Sequence, residues 1–135
     1  MVYNGMCGEQ SSFLKERALA FLDIAKTCYE RKYYSLVLFN VEQFIQLYLK
    51  HLIYVKLGDF PKTHSLIQLF KSVIKVYGDC EIKDFYRRNL EILYLLEEAY
   101  VSSRYLPRKY EEEIAERTLN FANKMLKVFE CLEKH

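Results

Sequence analysis

A chain of 135 residues is one domain in size, and its formal net charge of +2 is too small for a protein that coats nucleic acid through phosphate contacts. Four glycines and two prolines supply too few turns for a many-stranded sandwich or barrel, so the composition favours an all-helical domain. Twelve tyrosines and nine phenylalanines with no tryptophan give it an aromatic core.

Residues 1–10 read as a short N-terminal tail, and residues 11–135 as the folded domain. From about Ser12, the residues Leu14, Ala18, Phe21, Leu22, Ala25 and Cys28 or Tyr29 fall on one face at helical spacing. "ERKYY" marks a short connection. The second helix, about 33–57, is apolar on nearly all sides: Val37, Val41, Phe44, Tyr48, Leu52 and Val55 on one, Leu38, Ile45, Leu49 and Ile53 on another. Such a helix is central in its bundle or shared with a partner subunit. Glu42, Lys50 and Lys56 interrupt it, so no run reaches the roughly 18 apolar residues of a membrane span.

"LGDFPKTHS" is the clearest boundary, with Gly58 suited to a left-handed C-cap, Pro61 blocking continuation and Thr63 placed to cap the next helix. A third helix over 64–77 turns Leu66, Ile67, Phe70, Val73 and Ile74 inward and ends at Gly78. A fourth, 81–104, carries Phe85, Leu90, Leu93, Leu96 and Tyr100 and stops before Pro107. The fifth, about 110–133, opens on Glu111, Glu112 and Glu113, which suit the positive end of a helix dipole. The expected fold is all-α, an antiparallel four-to-five-helix up-and-down bundle.

Chemistry-bearing motifs are sparse. Cys7, Cys28, Cys80 and Cys131 are scattered, which fits reduced thiols and a cytosolic chain with no secretory leader. His51 and His135 lack partners at metal spacing, so neither a metal nor another cofactor is expected. No phosphate loop, nucleophile elbow or H-E-x-x-H motif occurs, and no catalytic residue is assigned. Three groups remain as binding candidates. A polar stripe of Asn40, Gln43 and Lys50, with Gln46 at its edge, runs along the second helix; it is either a seam fixing register or a lining for a polar ligand. His64, at the start of the third helix, is either a capping histidine or a neighbour of free N–H groups that suit an anion. "SSRYLPRKYEEE" gathers Arg104, Tyr105, Arg108 and Lys109 at a helix corner, where arginine can grip phosphate or carboxylate or simply pair with nearby glutamates.

In order, "ALAFLDIAKTCYERKYYSLVLFNVEQFIQLYLKHLI", "THSLIQLF" and "YVSSRYLPRKYEEEIAERTLNFANKMLKVF" resemble the HEPN domains, over about residues 14–130. Phe39, Gln43, Leu49 and Lys50 match that family's second-helix motif; His64, Leu66 and Leu69 match its third; Arg104, Tyr105 and Pro107 match its last corner. Glu42 stands where a first glutamine is usual, Phe44 replaces a small alanine, Gln46 replaces a glutamate, and Leu106 is inserted before the proline.

Many HEPN proteins are metal-independent ribonucleases with an R-x(4 to 6)-H signature. No histidine follows Arg87, Arg88 or Arg104 at that spacing, so the imidazole for acid–base cleavage is missing. The resemblance is therefore to the non-nuclease subgroup. It implies a homodimer that binds nucleotide or substrate through Gln43, Lys50, His64, Arg104, Tyr105 and Arg108. The partner it implies is a separate minimal nucleotidyltransferase encoded nearby, as in toxin–antitoxin pairs. The alternatives are a ribonuclease toxin built on His64 with Arg104, and a purely structural bundle.

Overall fold

The computed structural model describes residues 2–105 and 109–134, with side chains at 13–79, 81–102, 105 and 109–134. Six helices follow one another: α1 (Val2–Glu30), α2 (Tyr34–Leu57), α3 (Leu66–Tyr77), α4 (Cys80–Arg88), α5 (Leu90–Tyr105) and α6 (Glu112–Glu133). No strand occurs among the described residues, and no described helix is long and apolar enough to cross a membrane.

The greasy second helix is the axis of the molecule, packed against α1, α3, α5 and α6. Its two apolar sides serve different neighbours, so Val37, Leu38, Val41, Phe44, Ile45, Tyr48, Leu49 and Leu52 are all fully buried. Each such side chain stabilises the fold by about 1.5–3 kcal/mol relative to exposure. Val55, expected on an inner side, is exposed at the end of the helix.

Side-chain pairs give the directions. Tyr34 and Tyr48 of α2 donate to Glu112 and Glu133 of α6, so these two helices run parallel. Tyr29 and Lys15 of α1 reach Glu116 and Glu133, so α1 runs antiparallel to α6. Phe39 of α2 stacks on Tyr100 of α5, at 6.1 Å between ring centroids, while Glu42 lies in the field of Glu97, so α2 and α5 are antiparallel. The helices α1, α2, α5 and α6 form the expected up-and-down bundle, with α3 and α4 packed at its side.

The turns follow local chemistry. Gly58 and Gly78 take φ of 75° and 62°, and each donates its N–H back into the preceding helix. Both are left-handed C-caps that a side chain would strain. Ser65, not Thr63, caps α3, accepting from the N–H of Gln68; Thr63 accepts from the N–H of Ser65 just before it. The third helix thus begins two residues later than expected, and His64 lies in the extended approach to it.

Two other boundaries differ from the sequence expectation. Helical backbone runs through residues 2–10, which read as a tail; Gly5 and Gly8 weaken the helical signal there. The single helix expected over 81–104 is two. Asn89 Nδ2 donates to the carbonyl of Phe85 at 2.8 Å, taking the acceptor its own backbone N–H would use in a continuous helix. That N–H turns instead to Tyr86, and the chain breaks at φ −120°.

Candidate functional site

Where α2 faces α5 and the approach to α3, a chain of polar side chains crosses from the core to the surface. Its inner end is Glu42, which is fully buried. Both of its oxygens are satisfied: Gln43 Nε2 donates to Oε1 at 2.8 Å, and Gln46 Nε2 to Oε2 at 2.9 Å. Gln46 Oε1 then accepts from Lys50 Nζ at 3.2 Å and lies 3.2 Å from Nδ1 of His64. Spacings of one and four residues along α2 bring Glu42, Gln43, Gln46 and Lys50 within reach of one another.

Burial dominates the electrostatics. Desolvation pushes the Glu42 carboxyl up to about 7; the bonds from Gln46 and Gln43 hold it lower than burial alone would, Glu97 pushes it further up, and Lys50 draws it down. Burial likewise lowers Lys50, against the opposing pull of Glu42. The Lys50 ammonium also sits 5.6 Å from the centre of the Phe60 ring, a cation–π contact.

His64 is exposed, and one face of its ring stacks on Tyr100 at 5.5 Å and 27°. Tyr100 stacks in turn on Phe39, so three rings from three segments form one column. Beside it, Glu97 Oε1 accepts from Ser65 Oγ at 2.9 Å and from the backbone N–H of Ile67 at 3.1 Å. With Gln68 N–H bound to Ser65, two of the N–H groups at the start of α3 that could have suited an external anion are used by the protein itself.

Of the sequence candidates, Gln43, Lys50 and His64 come together here, and Gln46 is the centre of the set and not its edge. Asn40 leaves the stripe: its amide turns to the carbonyl of Leu36 and to Cys28 of α1. Tyr105 is 75 % exposed at the end of α5. Arg104 lies on α5 one turn beyond Tyr100, but its side chain, and Arg108 altogether, fall outside the described residues. Glu42, Glu97 and Tyr100 are the site residues that sequence reasoning missed. A carboxylate with glutamines one and four residues later, inside an otherwise apolar helix, was the available signal for Glu42.

The helix corner faces the opposite turn of the bundle. Lys109 and Tyr110 share a cleft of about 310 Å³ with Lys32, Tyr33, Tyr34 and Leu36. Two acids at the start of α6 are engaged with tyrosines: Glu112 accepts from Tyr34, pushing that phenol up to about 12, and Glu116 accepts from Tyr29. A larger cleft of about 690 Å³, lined by Ile53, Leu57, Phe60, Pro61 and Val76, is mostly apolar and touches the polar chain only through Phe60. Among the described residues no group of three His, Cys, Asp or Glu side chains could hold a metal ion.

The model of the HEPN domain family matches residues 11–132. No curated protein and no solved structure matches the chain. The family match spans nearly the whole sequence, and the chain belongs to the HEPN domain family.

Proposed function

We propose that this HEPN-domain chain is a non-catalytic binding subunit: a homodimer acting in the cytosol that binds a nucleotide or substrate for a separate minimal nucleotidyltransferase, in a toxin–antitoxin-like pair. The observation that carries this is the arrangement around Gln46. Glu42 and Lys50 are consumed in holding the glutamines, while half-buried Gln43 and exposed His64 remain at the surface, beside a stacked column of aromatic rings. Fixed polar groups next to flat rings suit a nucleotide better than a solvated surface would. The lack of a histidine five to seven residues after Arg87, Arg88 or Arg104 speaks against nuclease chemistry. Arg104, Tyr105 and Arg108 are assigned to the phosphate end, with Gln43 and His64 at the other and Lys50 behind them, holding Gln46.

Calorimetry with nucleoside monophosphates and triphosphates, together with co-purification of the product of the neighbouring gene, tests the proposal. Binding that weakens at least tenfold in His64→Ala supports it. RNA cleavage by the wild type that disappears in His64→Ala overturns it in favour of a ribonuclease. Absence of both nucleotide affinity and a nucleotidyltransferase partner leaves a structural bundle.

A further inference from the structure

With Glu42 ionised, the hydrogen bonds around Gln46 have only one consistent polarity. An ionised carboxylate accepts and never donates, so Glu42 demands the NH₂ groups of both Gln43 and Gln46. An ammonium donates and never accepts, so Lys50 demands the amide oxygen of Gln46. Gln46 is therefore pinned from both sides, and its orientation follows from its neighbours and not from a choice between look-alike atoms. The atom facing His64 is that same oxygen, 3.2 Å from Nδ1, which must then carry a hydrogen. In a neutral imidazole with its hydrogen on Nδ1, the other nitrogen bears a lone pair.

We propose that Glu42 and Lys50, acting through Gln46, hold neutral His64 in the Nδ1–H form, so that Nε2 and the Gln43 amide oxygen present acceptors to the ligand. What this position takes is a polarised N–H or O–H group, not phosphate. On a nucleotide, two groups fit that chemistry: the exocyclic amine of the base and the hydroxyls of the ribose. This rests on the nucleotide-binding reading and gives it an orientation, with the nucleoside end at His64 and the phosphates directed elsewhere. It also agrees with the occupation of two of the first α3 N–H groups by Glu97 and Ser65, which weakens the local reason for an anion to bind here. Glu42 is thus a positioning residue: it touches no ligand and sets which atom Gln43 turns outward and which atom Gln46 turns to His64.

Nitrogen-15 NMR of the histidine rings in the wild-type protein, at a pH where the imidazoles and Glu42 have lost their protons, reads the tautomer directly. The expected result is a protonated Nδ1 and an unprotonated Nε2 for His64. In Gln46→Met, which fills the same volume without an acceptor, the ring is expected to move toward the Nε2–H form. Calorimetry then compares adenosine monophosphate with one analogue lacking the 6-amino group and another lacking both ribose hydroxyls. One of the two should bind about three- to tenfold more weakly, as expected for one lost hydrogen bond, and so identify the donor. A dominant Nε2–H form in the wild type overturns the inference, as does equal affinity for all three nucleotides or the same His64 shifts with inorganic phosphate alone. If none of the three binds, the nucleotide-binding reading falls, and the tautomer measurement still decides the polarity of the ring.

Discussion

Glu97 reaches from the middle of α5 to accept the backbone N–H of Ile67 at 3.1 Å, so that one helix caps another. The same oxygen accepts from Ser65, which itself caps the N–H of Gln68. Two of the exposed donors that begin any α-helix are thereby satisfied by side chains 32 residues apart. Replacing Glu97 with alanine removes both contacts, and the expected loss is about 1–2 kcal/mol in urea unfolding. Glu97→Gln keeps an acceptor oxygen and is expected to cost less than half as much. An equal loss in the two variants would show that charge, and not the cap, matters.

Ser65→Ala tests the other half of the same cap. It removes the acceptor for Gln68 and the donor to Glu97 together, and about 1 kcal/mol of stability should go with it. Thr63→Ala leaves the α3 cap intact and takes away only a bond to the N–H of Ser65, so it should be nearly silent. The reverse order would place the helix start at Thr63.

That reversal would restore the expectation drawn from sequence, and the reason for the discrepancy is instructive. Gly58, Pro61 and Gly78 announce helix ends because the freedom of glycine and the restriction of proline act locally, and the structure uses both glycines as left-handed caps. Thr63 and Ser65 are equally good caps in sequence; Glu97, far along the chain, favours the second. The break at Asn89 was hidden for a similar reason. Apolar periodicity continues across it from Phe85 to Leu90 and Leu93, while the decisive event is one side-chain bond to a carbonyl. The all-round apolar character of α2 did foretell its central place, since only a helix with neighbours on all sides can bury two faces. For Glu42 the glutamines one and four residues later were the only local clue; its burial depends on α5 and the approach to α3, far along the chain.

At the far end of α2 a second polar cluster ties three helices together. Tyr48 donates to Glu133, His51 Nε2 lies 3.3 Å from the same carboxylate, and Lys15 from α1 pairs with it at 3.0 Å. Burial alone would raise the Glu133 carboxyl; the bonds from Tyr48, Lys15 and His51 outweigh it and leave the group below its ordinary range. A carboxyl lowered in the folded state contributes stability above its unfolded value, and that contribution is lost as pH falls through the folded one. A double-mutant cycle with Tyr48→Phe and Glu133→Gln should give a coupling of about 1 kcal/mol at neutral pH. It should shrink in acid, as the pH falls through the lowered folded value of Glu133 and the carboxylate takes up its proton. Independent, additive losses would mean the two groups do not support each other.

The core beneath that cluster is an aromatic sandwich. Phe129 of α6 stacks on Tyr48 at 4.5 Å and packs against Phe44 at 6.0 Å, and all three are fully buried. Because α6 touches the bundle mainly through α2, with a smaller contact to α1, a cavity here loosens the last helix as a unit. Phe129→Ala is expected to cost about 3–5 kcal/mol, while Phe129→Leu, which refills most of the volume, should cost less than half of that. Hydrogen exchange should show the loss concentrated in α6. Uniform loss across all helices would mean the bundle melts only as a whole.

Glu42 sets a pH dependence of the opposite sign to that of Glu133. Its carboxyl is raised to about 7 in the folded protein, chiefly by burial, so the folded chain holds that proton more tightly than the unfolded chain. Stability from this group is fully present below the unfolded carboxyl value, declines as pH rises from about 4.5 to 7, and is flat above that. A shift of that size corresponds to roughly 3 kcal/mol, which makes it the largest single titration effect expected in the neutral range. Urea unfolding at pH 5 and pH 8 should therefore show the wild type losing stability on the alkaline side. Glu42→Gln cannot ionise, and its unfolding free energy should be nearly level over the same window. Gln43 must reorient to satisfy the new amide, since Lys50 pins Gln46, and the amide brings two hydrogens where the protonated carboxyl has one, so some stability is lost at pH 5. The two curves are expected to cross, with the variant the more stable at pH 8. A wild type whose stability does not fall between pH 5 and 8 would place the Glu42 charge outside the core.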